Sequence, residues 1–158
     1  MTYITKDFYL AGVIPLTVMA QTKKLISVEE IKDRLEPVFQ DEGLQLVLLF
    51  GSVVSGGPHR HSDIDIAFLF DTTVDILSLT NRVIRLLHVD NIDVIDLSHA
   101  SPLLKFSIVN KSKCLYERED GIFNTFYSLA FRMYIDTKKL RDARALAIKH
   151  FLRERGLG

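Results

Sequence analysis

The sequence predicts an α/β (α+β) fold, a small mixed sheet flanked by helices with a C-terminal helical extension. Three observations predict it. Apolar runs of strand length alternate with segments of helical periodicity. The 158 residues match the usual length of one domain, and 47% are hydrophobic against 25% charged, the balance of a folded globule. No repeat or low-complexity tract interrupts the pattern.

The elements follow in order. Ser27-Val28-Glu29-Glu30 reads as a capping box, with Ile31, Leu35 and Val38 at helical spacing behind it and Pro37 placed to kink or end the helix. Leu44 to Phe50 is a nearly continuous apolar run, the pattern of a strand buried on both faces. A glycine-rich loop, Gly51 to Ser62, leads to a second strand, Asp63 to Phe70. Asp71-Thr72-Thr73 reads as the cap of a helix whose stripe is Ile76, Leu79, Val83 and Leu86/Leu87. A third strand is expected over Asn91 to Leu97. Ser101-Pro102 is an N-cap followed by proline at the first helical position, opening a helix through Val109. Lys113 to Glu117 suits a short edge strand, and Gly121 to Arg155 one long helix or a kinked pair. The expected division is an accessory segment over 1–24, a core over 25–118 and a helical extension over 119–158.

Charge narrows the function. Twenty Lys and Arg balance twenty Asp and Glu, so direct nucleic-acid binding, which rests on excess cations, is not expected. A single cysteine forms no internal disulfide, and a reducing cytoplasm is the default. The uncharged stretch Phe8 to Ala20 has thirteen residues, too short for a membrane-spanning helix of ~20. Three readings of it stay open: a signal-peptide-like core, an accessory segment, or a true start at Met19. Residues 132–158 carry eight Lys/Arg against three Asp/Glu, a solvated basic face or a docking face for an acidic partner.

The chemistry concentrates between Gly51 and Ile66. On a strand, Asp63 and Asp65 point to one face with Cα atoms ~6.5–7 Å apart, while Ile64 and Ile66 point the other way. Two such carboxylates repel unless a cation lies between them, and hard oxygens favour Mg²⁺. A pair of ions ~3.5–4 Å apart clamps an in-line displacement at phosphorus. Gly51-Ser52, where the buried strand ends, lets the backbone approach a ligand and offers an amide and a hydroxyl to phosphate. Either feature alone is common in turns and polar strand faces. With ten residues between Ser52 and Asp63, the combination is far more specific.

On these residues the sequence resembles the polymerase-β-like nucleotidyltransferases, whose signature is Gly-Ser, about ten residues, then Asp-x-Asp. Within them it is similar to the minimal nucleotidyltransferases, the MNT or MntA-type antitoxins, over about Ile26 to Glu117. The resemblance implies metal binding by Asp63 and Asp65, and a third metal-binding acid on a neighbouring strand, where Asp93 matches. It gives the triphosphate to Gly51 and Ser52, with Arg60 and Ser62 just before the acids completing the nucleotide-binding set. Members often carry an arginine where this chain has Ser55, and Arg60 is the available substitute. Asp96 is the rival third acid, but it faces the opposite side of the strand from Asp93 and suits a turn or cap. Asp93 also suits the general base.

The implied activity is transfer of AMP from ATP to a hydroxyl, assisted by Mg²⁺, two ions being expected. The implied acceptor is a tyrosine of a cognate HEPN toxin, with which the chain would form a hetero-oligomer. The alternatives are transfer to an aminoglycoside-type small molecule, or a non-catalytic antitoxin that neutralises its partner by covering it. Weaker signals point elsewhere. His59 and His61 suit a solvated loop, and Cys114 a buried small hydrophobe. Tyr127, Phe131 and Tyr134 suit core or partner packing. Arg144 and His150 superficially match a HEPN ribonuclease motif, but six helical steps set them on different faces.

Overall fold

A computed structural model of the chain describes residues 26–54 and 63–156. The element order is α1 (Val28–Phe39), β1 (Leu44–Phe50), β2 (Ile64–Phe70), α2 (Ile76–Leu87), β3 (Ile92–Asp96), α3 (Pro102–Val109), β4 (Lys113–Glu117), α4 (Ile122–Asp136) and α5 (Lys138–Glu154). The strands form one sheet in the order β3-β2-β1-β4. β1 pairs antiparallel with both β2 and β4, and β2 pairs parallel with β3. The sheet is mixed, as the sequence predicts. The extension past Gly121 is the kinked pair rather than one helix, broken at Thr137, whose hydroxyl donates to the Met133 carbonyl at 2.7 Å.

Each face of the sheet buries its own apolar cluster. Leu44, Val47 and Leu49 of β1, with Ile64, Ile66 and Phe68 of β2, pack against Ile31, Leu35 and Val38 of α1 and Leu79, Val83 and Leu87 of α2. On the other face Leu46, Leu48, Ala67 and Leu97 pack against Ile108 and Val109 of α3 and Phe126 and Ala130 of α4. This is why β1 reads as a continuous apolar run: its alternate side chains enter two cores. The aromatic stripe of α4 is part of this packing, because Phe106 of α3 lies with ring centroids 5.7 Å from Phe131 and 4.5 Å from Tyr134. α5, in contrast, buries no side chain. Among the described residues no helix is long and apolar enough to cross a membrane.

Polar contacts lock the helices that carry the strands. Ser27 accepts from the Glu30 amide at 3.1 Å, the expected N-cap of α1, and Ser101 accepts from the Leu104 amide at 3.3 Å at the start of α3. Pro37 is carried inside α1, which runs to Phe39. Arg82 of α2 donates to both oxygens of Asp41 (2.8 and 2.7 Å) and to the Pro37 carbonyl, and Arg34 of α1 reaches the Leu87 carbonyl and Glu30. These contacts clasp α1 to α2, the crossover helix between β2 and β3.

The cap of α2 differs from the expected one. Asp75 caps it, accepting from the amides of Leu77 (3.0 Å) and Ser78 (3.3 Å), while Asp71-Thr72 closes the far end of the β1–β2 hairpin. The Asp71 amide donates to the Gly43 carbonyl, and its carboxylate accepts from Gln45 at 2.8 Å. Gly43 has φ +77°, and a Cβ there would lie 2.5 Å from the Asp71 carboxylate, so this turn takes up the first cap-type residues.

Hydrogen bonds from the Ser78 hydroxyl and the helix amides hold the Asp75 carboxyl below its ordinary value. A lowered pKa stabilises the fold above the ordinary carboxylate range and is lost as pH falls through it. Asp75→Ala is therefore expected to lower the thermal midpoint at pH 7 while Thr73→Ala leaves it unchanged. The Asp75→Ala deficit should shrink as the pH is taken down through 4 to 2, followed by circular dichroism.

Candidate active site

The first two acids stand at the opening of β2, Asp63 just before the ladder and Asp65 inside it. Ile64 and Ile66 pack into the α1/α2 core, so the carboxylates face the opposite side of the sheet. That is the side on which Ala67 and Leu97 meet α3 and α4 farther along the strands. The acids occupy its open end, with Asp63 and Asp93 exposed and Asp65 half-buried.

Register brings in the third acid. Asp65 lies directly opposite Asp93 in the parallel β2–β3 pair, and opposite Phe50 in the antiparallel pair with β1. Residues paired across strands share a face. The electrostatics agree: the Asp65 carboxyl is pushed above its ordinary value by burial first, then by the negative charges of Asp93 and Asp63. Asp65 thus senses both neighbouring acids. Asp96 is engaged elsewhere. Burial alone would raise its carboxyl, but bonds from His99 Nδ1 (2.6 Å) and the Ser98 amide (2.8 Å) outweigh this and hold it low. It stabilises the turn after β3.

Gly51 completes the inner wall. It follows β1 with φ +78°, and a Cβ built there would collide with the Asp65 carboxylate, reaching 2.9 Å from its Cγ. Only a residue without a side chain lets the backbone lie against this acid in that conformation. Ser52 follows in the same turn, half-exposed, and Val53 and Val54 anchor the turn on the α1/α2 core. Arg60 and Ser62, together with His59, His61 and Ser55, lie outside the described residues, as does the 1–24 segment. Cys114 is half-buried, and burial raises its thiol, as suits a packing residue.

The donor set suits a hard divalent ion. Among the described residues no three His, Cys, Asp or Glu side chains are grouped so as to hold a metal ion by themselves. Mg²⁺ seldom needs one, since it is held by one or two carboxylates plus substrate phosphates and water. An open row of carboxylates beside a glycine turn offers oxygen donors of that kind. The face also includes Asn91, which the motif does not single out. It stands immediately before β3, two residues from Asp93.

Comparison with known proteins agrees with this geometry. The family described as polymerase beta, nucleotidyltransferase, matches residues 29–121. A protein adenylyltransferase MntA from Aphanizomenon flos-aquae is 26% identical over 126 residues, covering 72% of this chain and 84% of the relative. The MntA of Shewanella oneidensis is 39% identical over 85 residues, 51% of this chain and 60% of the relative. A solved toxin–antitoxin structure with AMP-PNP superposes with a TM-score of 0.67 at 28% identity, covering 75% of this chain and 98% of that one. A tri-AMPylated Shewanella oneidensis HEPN toxin in complex with MNT antitoxin gives a TM-score of 0.63 at 25% identity, over 77% and 98%. Since the match spans more than half of the chain and takes in every strand that bears an acid of the site, the protein belongs to the polymerase-β nucleotidyltransferase family.

Proposed function

We propose that this nucleotidyltransferase moves AMP from ATP to a tyrosine hydroxyl of a HEPN-family toxin, as the cytoplasmic antitoxin of a toxin–antitoxin pair. The observation that carries the chemistry is the register Asp65 opposite Asp93 with the Gly51 backbone against Asp65. The partner class is supported by the similarity to MntA proteins and to antitoxins solved with their toxins. The AMP-PNP of one such structure supports ATP as the nucleotide.

In this reading Gly51 and Ser52 hold the triphosphate, joined by Arg60 and Ser62 from the loop. Asp63 and Asp65 hold Mg²⁺, with Asp93 beside them. Mg²⁺, when bound, neutralises charge on the phosphates and on the departing pyrophosphate. Asp93 takes the proton of the attacking hydroxyl. The new bond joins that oxygen to the α-phosphorus, and the bond from the α-phosphorus to the bridging oxygen breaks, releasing pyrophosphate. A site built mainly of carboxylates and glycine suits direct transfer, in which positioning and charge neutralisation do most of the catalysis.

ATP labelled in its α-phosphate, Mg²⁺ and the HEPN-domain partner test the reading. Label on the partner is expected, and chelation by EDTA should abolish it. Label on an aminoglycoside instead, or neutralisation without any label, would overturn it. Asp63→Ala and Asp65→Ala should each reduce transfer at least about a hundredfold with the circular dichroism spectrum unchanged.

Asp65→Asn separates chemistry from stability. A raised carboxyl pKa means that the folded state holds its proton more tightly than the unfolded chain, so stability falls as pH rises through the folded value. Asp65→Asn is therefore expected to melt higher than the parent at pH 8, with the gap closing toward pH 4, while transfer is lost. Adding Mg²⁺ and ATP should raise the parent's midpoint and leave the variant's unchanged.

Gly51→Ala meets both an unfavourable backbone region and the Asp65 carboxylate. It should cost at least about 1–2 kcal/mol in denaturant unfolding and weaken nucleotide binding.

A further inference from the structure

The strand order sets an axis across the active site. Gly51 and Ser52 end β1, Asp63 and Asp65 open β2, and Asp93 lies on β3, the outer strand of this side of the sheet. If the triphosphate is held at the β1 end, the β3 flank is left for the acceptor. This part of the inference rests on the nucleotidyl-transfer reading.

Asn91 stands on that flank. The Ile64 amide donates to the Asn91 carbonyl (3.0 Å), one of the bonds of the Ile64–Ile92 pair with which the β2–β3 ladder opens. Asn91 thus stands immediately before β3, its carbonyl held against the opening of β2, and strand alternation puts it two residues from Asp93 on the same face. Ile92 between them is buried in the α1/α2 core, which fixes the alternation. Asn91 is exposed, and its amide group has no hydrogen-bond partner among the described residues. A turn-capping asparagine would bond a nearby backbone group, as Asp96 does at the other end of β3.

The chemistry of the face explains why an amide belongs there. Asp63, Asp65 and Asp93 can only accept hydrogen bonds when ionised. An attacking hydroxyl gives its proton to an acceptor and needs a donor to orient its oxygen. A neutral amide supplies two N–H donors without competing for the metal, and its carbonyl can accept from the same ligand.

We propose that Asn91 is an acceptor-binding residue, donating from its side-chain amide to the hydroxyl oxygen of the incoming tyrosine beside Asp93. It orients the oxygen that Asp93 deprotonates and makes no contact with the nucleotide.

Asn91→Ala and the isosteric Asn91→Asp test this, with the full chain, Mg²⁺, α-labelled ATP and the HEPN-domain partner. Each variant should raise the KM for the partner by about fivefold to tenfold, the worth of one or two neutral hydrogen bonds. The KM for ATP and the thermal shift on adding Mg²⁺ and ATP should stay within twofold and within error of the parent. Asn91→Asp, which keeps the shape but loses the donors, should not restore the partner KM. An increase in the ATP KM would place the residue on the nucleotide side and overturn the proposal, as would a partner KM within twofold of the parent. Absence of label with the unmodified chain would instead overturn the transfer reading itself, and the role of Asn91 with it.

Discussion

Three like charges held side by side are the constraint around which the rest of the structure is arranged. Asp65 opposite Asp93, with Asp63 two residues away, is an unfavourable arrangement in isolation, and burial first, then those two charges, push the Asp65 carboxyl up. The fold tolerates it because the cost is borne at the open end of a sheet whose two faces are otherwise filled by apolar side chains. The isoleucines that alternate with the acids anchor the same strands in the α1/α2 core, so the carboxylates cannot rotate apart without exposing Ile64, Ile66 and Ile92. Stability elsewhere is used to hold a charge-dense face in place.

The same logic accounts for the rigidity around the site. The parallel pairing of β2 and β3 needs the crossover helix α2, and α2 is clasped to α1 by Arg82 on Asp41 and Arg34 on the Leu87 carbonyl. Those arginines touch no residue of the site, yet they hold the helix that sets where β3 lies. Gly51 acts at closer range. A side chain in its place would displace the central carboxylate, so the glycine of the motif has a steric role beside any contact with phosphate.

Much of this was legible in the residues alone, for identifiable reasons. Leu44–Phe50 and Lys113–Glu117 declare themselves because short apolar runs bounded by turn residues have few other solutions, and Ser101-Pro102 marks a helix start by local chemistry. Asp63 and Asp65 share a face by the period of a strand. The cap of α2 was ambiguous because Asp71, Thr72, Thr73 and Asp75 are all cap-type residues. The choice fell to Asp75 only because the Gly43 turn, distant in sequence, claims Asp71 and Thr72. The break at Thr137 and the solvated state of α5 are likewise tertiary outcomes. The pairing of Asp65 with Asp93 is a register between strands separated by a whole helix, which no local pattern encodes. Asn91 escaped notice because its significance comes from its neighbour across the sheet rather than from its own type.

The separation of those strands has a consequence for how the molecule comes into being. β1 and β2 are successive strands of an antiparallel pair, whereas Asp93 reaches Asp65 only after α2 has formed and docked. Non-local parallel pairing is entropically expensive and is rewarded late. A nascent or partly denatured chain would thus carry the glycine turn and the first two acids without the third. The three acids therefore come together only in the completed topology.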